Sequence, residues 1–163
     1  MIFISLGTQK FQFNRLLKLV DDLKEEGLIK EEIFAQVGNS DYKPRNYQYL
    51  DFLSNEEFTK KMEEASLIIS HSGVGTILKS INKDKPIIVA PRLAKFKEHV
   101  DDHQIEIAKA FSKKNFCFIY EEGDDLVSLI NKAKTHKFDK YVSSKDKVIA
   151  RLEDYLARLE ESL

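Results

Sequence analysis

The sequence predicts an α/β domain built on a doubly wound parallel sheet, and three observations carry that prediction. Short apolar runs alternate with stretches whose apolar residues recur at helical spacing. The central runs, Ser66-Leu67-Ile68-Ile69-Ser70 and Pro86-Ile87-Ile88-Val89-Ala90, lack the apolar-polar alternation of a half-exposed strand, which suits parallel strands covered on both faces. Most runs stop at a glycine or polar turn before the next helical stretch, the alternation that such a sheet requires.

Residues 1–6 are an apolar run ending at Gly7-Thr8, and Phe13, Leu16, Leu17, Val20 and Leu23 then follow at helical spacing. Ile33-Phe34-Ala35-Gln36-Val37 reads as the second strand, stopped by Gly38-Asn39. Residues 47–53 make a weaker, aromatic strand before a helix over 55–65, with Ser54 as N-cap and Glu57 at the capping-box position. The strand over 66–70, a glycine turn, a helix to about Lys83 and the strand over 86–90 come next. A polar loop over 91–100, a helix from about Asp101, a strand over 116–120 and a helix after Gly123-Asp124 complete the alternation. Val148, Ile149, Leu152, Tyr155, Leu156 and Leu159 form an apolar stripe on a final amphipathic helix at about 145–162, either packed on the domain's own sheet or available to a partner.

At 163 residues and 42% hydrophobic content, residues 1–163 are expected to form a single domain around one core. Lys and Arg total 26 against 27 for Asp and Glu, so no global field favours nucleic acid or an anionic membrane, and anion binding must be local. The lone Cys117 sits in Phe116-Cys117-Phe118-Ile119, which excludes an internal disulfide and suggests a buried thiol in a reducing, cytoplasmic setting. No apolar run approaches the ~20 residues of a membrane span, and the first residues lack signal-peptide features, so the chain is expected to be soluble.

In an open sheet of this kind ligands bind beyond the carboxyl ends of the strands, so the loops there are the ones to inspect. Ser70-His71-Ser72-Gly73-Val74-Gly75-Thr76 links a strand to a helix, with free amides at the helix start able to face a diphosphate. Any tight connection also uses glycine, so the turn alone leaves both readings open. Gly7-Thr8-Gln9 faces the same crevice if its strand is central, or is a turn glycine with a capping threonine. The loop from Pro91-Arg92 to His103-Gln104 is dense in donors and acceptors, as sugar hydroxyls require, although Lys95 and Lys97 read as solvated and Asp101 and Asp102 as an acidic helix start. His71, His99 and His103 with Asp102 do not make a persuasive metal set, and no metal or other cofactor is expected.

The ordered combination of Leu6-Gly7-Thr8-Gln9, Phe34-Ala35-Gln36-Val37-Gly38, Ser70-His71-Ser72-Gly73-Val74-Gly75-Thr76 and Glu98-His99-Val100-Asp101-Asp102-His103-Gln104 resembles the C-terminal, donor-binding half of family 28 glycosyltransferases. In particular it resembles the small free-standing subunits of bacterial capsule and exopolysaccharide synthesis, and these look like the soluble subunit of the eukaryotic UDP-GlcNAc transferase of N-glycan assembly. The resemblance implies the Rossmann-like donor half of a glycosyltransferase-B fold, and a UDP-sugar-binding catalytic subunit of a heteromeric, inverting hexosyltransferase. It further implies a membrane-anchored partner subunit that holds a lipid-linked saccharide acceptor and recruits this chain to the inner face of the cell membrane. A non-catalytic scaffold or regulatory subunit is the alternative.

By position, the resemblance assigns donor binding to Gly7, Thr8, Ser72, Gly73, Gly75, Thr76, Arg92, His103 and Gln104, with Gln104 at a sugar hydroxyl and Phe52 and Leu53 flanking the uracil. The catalytic base is expected on the partner, with Glu98 and His99 as the candidates within this chain. Lys79 stands where many members of the family carry a glutamate for the ribose hydroxyls.

Overall fold

A computed structural model of the protein describes residues 1–141; the expected helix at about 145–162 lies outside them. Among the described residues six parallel strands form one sheet: β1 (Ile2–Ser5), β2 (Ile33–Gln36), β3 (Gln48–Leu50), β4 (Leu67–Ser70), β5 (Ile87–Val89) and β6 (Phe118–Ile119). The helices are α1 (Asn14–Glu25), α2 (Asn55–Glu64), α3 (Val74–Asn82), α4 (His103–Lys113) and α5 (Leu126–Thr135), with a 3-10 turn at Ala94–Phe96. The strand order is β3-β2-β1-β4-β5-β6, so the winding direction reverses between β1 and β4 and opens a crevice at their carboxyl ends.

Alternation along the strands produces two cores. Ile2, Ile4, Ala35, Ile69 and Ile88 face Leu16, Leu17 and Val20 of α1 and Leu126 and Ile130 of α5. Phe3, Phe34, Ile68, Ile87 and Val89 face Met62 of α2, Ile77 and Ile81 of α3, and Ala108 of α4. Burial on both faces explains why the central strands carry no polar alternation.

The expected capping box is formed: Ser54 Oγ accepts from the Glu57 amide at 3.2 Å, and the Glu57 carboxylate accepts from the Ser54 amide at 2.8 Å. Asp21 of α1 is 2% exposed and holds the loop before β3. Its carboxylate accepts from the Arg45 and Asn46 amides, each at 2.9 Å, and from Tyr42 Oη at 2.8 Å. Burial alone would raise the carboxyl, but these hydrogen bonds hold it below the ordinary aspartate range.

Cys117 is buried and unpaired by any disulfide, and burial pushes its thiol up to about 12. The native protein is therefore expected to leave this thiol unreacted with a neutral-pH alkylating reagent over a period in which the denatured chain is fully labelled. Equal labelling rates in the native and denatured states would contradict the burial.

Candidate functional site

Polar residues end the central strands and align across them. Ser5 is in register with Gln36 on one side and Ser70 on the other, and all three are buried. Ser70 Oγ donates to the Ser5 carbonyl at 2.7 Å. Gln36 joins two loops, donating from Nε2 to the Gly7 carbonyl at 3.3 Å and accepting at Oε1 from the Leu53 amide at 3.1 Å. Ser5 and Gln36 of this row floor a crevice of about 280 Å³ lined by Gly7, Thr8, Leu53, Gly75, Thr76 and Lys79, with Phe58 and Asn55 on the α2 side. A larger hollow of about 460 Å³ lies at the amino ends of β2 and β3, lined by residues such as Met1, Phe34 and Lys61. The smaller crevice is the candidate site because the switch point and unspent backbone donors meet there.

Those donors belong to α3. Its N-cap, Gly73, has no side chain to satisfy them, and the first bond back to the N-cap runs from the Ile77 amide to the Gly73 carbonyl at 3.1 Å. The Val74, Gly75 and Thr76 amides consequently have no partner among the described residues. A β-carbon added at Gly75 would meet no atom within 4 Å, so this turn is open as well as unpaired. An uncapped helix start of this kind favours an anion through both its N–H groups and the helix dipole. Beside it, Ser5 Oγ and Ser72 Oγ are buried without a hydrogen-bond partner among the described residues.

His71 sets the spacing of the two loops. Its ring is 7% exposed and packs against Gly7 and Gly73, with Nδ1 facing the Ser5 carbonyl at 3.4 Å. Burial, reinforced by the positive charge of Arg92, pushes the imidazole down to about 4, so it is neutral at pH 7. Because a carbonyl only accepts, the long Ser5 contact favours the proton on Nδ1 and leaves Nε2 as the acceptor.

A second cluster braces the β4 and β5 loops. Gln104 is 6% exposed, and its Oε1 accepts from the Arg92 amide at 3.0 Å and the Ser72 amide at 3.3 Å. Gln104 Nε2 has no partner among the described residues, which leaves the amide as a donor. Arg92 is only 1% exposed, and its terminal nitrogen donates to the Leu6 carbonyl at 2.8 Å and the Phe11 carbonyl at 3.2 Å. Arg92 is not on the crevice wall, and its guanidinium ties the β1 loop to the β5 loop from within. Glu98, fully buried, is bidentate to Arg15 at 3.0 Å and also accepts from the Leu93 amide. Both oxygens of Glu98 are thus engaged in holding Arg15 and the β5 loop, away from the crevice wall.

Gly7, Thr8, Gly75, Thr76 and Leu53 are thus brought together on the crevice, and Lys79 with them. Ser72 and Gly73 form the turn behind it, and Phe52 is an exposed neighbour of Leu53. His99 and His103 are not on the crevice wall: His99 stacks on Phe11 and faces Asp101, and His103 faces Glu106. Among the described residues no group of three or more His, Cys, Asp or Glu side chains is placed to hold a metal ion. Ser5, Gln36, Asn55 and Phe58 also line the crevice although the sequence assigned none of them to the site, Gln36 entering only as part of the Phe34–Gly38 motif. For Ser5 and Gln36 the available signal was a polar residue closing an apolar run at a strand's carboxyl end.

The sheet order and the switch-point crevice define a Rossmann-like α/β domain of the kind found in glycosyltransferase-B enzymes. The glycotransferase of kitacinnamycin superposes with a TM-score of 0.64 at 15% identity, over 83% of this chain and 34% of that one. The solution structure of ALG13 superposes with a TM-score of 0.53 at 19% identity, over 93% of each chain. The glycosyltransferase family 28 C-terminal domain matches residues 1–159, and the chain belongs to that family. In sequence it is 28% identical over 152 residues to the UDP-N-acetylglucosamine transferase subunit ALG13 of Candida albicans, covering 89% of this chain and 50% of that protein. The chain thus spans half the length of that relative.

Proposed function

We propose that this chain is the UDP-sugar-binding, catalytic subunit of a heteromeric, inverting hexosyltransferase. The observation that carries the reading is the uncapped, open start of α3 at Gly73–Thr76, set on the switch-point crevice. Its family and the name of the Candida albicans relative support a sugar-nucleotide ligand and make UDP-N-acetylglucosamine the first donor to test.

In the proposed reaction an acceptor hydroxyl oxygen attacks the anomeric carbon from the face opposite the diphosphate. The bond from that carbon to the diphosphate oxygen breaks, and UDP leaves with the electron pair. The Val74, Gly75 and Thr76 amides, with the dipole of α3, stabilise the charge gathering on the leaving group, so the mechanism calls on no metal. The acceptor proton passes to a base on the partner, because no carboxylate or imidazole among the described residues lines the crevice.

The lipid-linked acceptor, the membrane-anchored partner and a role in bacterial capsule or exopolysaccharide synthesis complete the proposal, supported by the motif resemblance. None of the described helices is long and apolar enough to cross a membrane, and the proposal places the chain in the cytoplasm, recruited to the membrane by that partner. Calorimetric titration with UDP and a panel of UDP-sugars tests the reading, with Gly75→Asp as the control. Wild type is expected to bind, and the folded variant to bind at least about tenfold more weakly because it sets a carboxylate in the anion site. A wild-type chain that binds no uridine nucleotide would favour the scaffold reading instead.

A further inference from the structure

We infer that Lys79 makes the crevice select its nucleotide by phosphate charge, so that the ribose 2′-hydroxyl contributes little and 2′-deoxynucleotides are accepted nearly as well. The inference rests on the proposed binding of a uridine nucleotide in this crevice.

Lys79 follows Gly75 by four residues and Thr76 by three, placing it one helical turn along α3 from the unpaired amides, on the same wall of the crevice. Its ammonium lies 5.0 Å from the centre of the Phe58 ring on the facing helix. That contact keeps the charge at the mouth between α2 and α3. Leu53 and Asn55 begin the opposite wall. A nucleotide with its phosphates on the α3 amides and its base towards Leu53 would carry its ribose past Lys79.

In folds of this kind an acidic side chain ordinarily accepts hydrogen bonds from the ribose hydroxyls, whereas a cation beside the ribose accommodates phosphate. Among the described residues lining this crevice Lys79 is the one ionisable side chain, and none is a carboxylate. An ammonium donates and never accepts, so it gives a hydroxyl proton no destination. Thr8 and Asn55 are neutral, and hydrogen bonds to neutral groups are about half as strong as those to a charge. Gln36 is engaged at both ends by Gly7 and Leu53. The attraction of Lys79 for the diphosphate is unaffected by removal of the 2′-oxygen.

The test is calorimetric titration of UDP and 2′-deoxy-UDP against wild type, Lys79→Met and Lys79→Glu, at two salt concentrations. Wild type is expected to bind the two nucleotides within about threefold of each other, a difference smaller than one hydrogen bond to a charged group provides. Lys79→Met is expected to weaken both by about fivefold, the effect of one partly exposed charge, and to reduce the salt dependence. Lys79→Glu is expected to weaken UDP through repulsion while introducing a preference of about tenfold for UDP over its deoxy form. A wild-type preference of more than about tenfold for UDP, retained in Lys79→Met, would overturn the inference while leaving the proposed function intact. Failure of wild type to bind either nucleotide would overturn both.

Discussion

Replacing Glu98 with alanine is expected to cost about 3 kcal/mol of stability, the lower end of the range for breaking a buried ion pair, because Glu98 is buried while the Arg15 side chain is 24% exposed. The carboxylate is fully buried and holds Arg15 through two hydrogen bonds of 3.0 Å, while also accepting from the Leu93 amide. Its negative charge also acts on Arg92: burial lowers that guanidinium to about 10, and Glu98 works against the fall. Two nitrogens of Arg92, Nε and Nη1, have no hydrogen-bond partner among the described residues, so its charge depends on the nearby carboxylate. Alanine would leave Arg92 without that compensation and Arg15 without its partner. Urea unfolding should show a lower midpoint at an unchanged slope. Lys43→Ala supplies the contrast: its pair with Asp51 is exposed on both sides, and the loss should stay under about 1 kcal/mol. Equal losses in the two variants would contradict a buried, structural role for Glu98.

The loop around Glu98 also marks the limit of what local sequence pattern encodes. Every strand and helix expected within residues 1–141 is present, because the apolar runs are short, continuous and punctuated by turns. The ends differ for local reasons. The strand expected over 47–53 pairs only at Gln48–Leu50, since it is an edge strand with one neighbour. The helix expected from Asp101 begins at His103, where the Asp101 carboxylate accepts from the His103 amide at 3.0 Å. The glycine turns at Gly7 and Gly73–Thr76 were legible because their chemistry is contiguous in the chain. Arg15 and Glu98 were not: they are 83 residues apart, and a loop carrying Lys95, Lys97, Glu98 and Asp101 gives no local sign of which charge turns inward.

The spacer role of His71 is likewise not legible in the sequence, where the residue reads only as part of the glycine turn and as one of three histidines weighed for a metal, and it leads to the other large expected effect. A β-carbon at Gly73 would lie 2.3 Å from His71 Nε2, and one at Gly7 would lie 2.6 Å from His71 Cε1. The two glycines differ in backbone, however. Gly73 has φ −77 and ψ 117, which alanine adopts freely, whereas Gly7 has φ +73, in the left-handed region that alanine disfavours. Gly73→Ala should therefore cost about 1–3 kcal/mol through overpacking alone. Gly7→Ala should cost about 1 kcal/mol more through its backbone. His71→Ala removes the ring from both clashes. In double-mutant cycles the penalty of Gly73→Ala should largely vanish in the His71→Ala background, while that of Gly7→Ala should fall only to its backbone part. Additive losses in both cycles would mean that the ring does not set the loop spacing. Uridine nucleotide titration of the same variants separates stability from the site: relieving the Gly73 clash should restore the α3 amides to their places, so binding should recover with stability in the double variant.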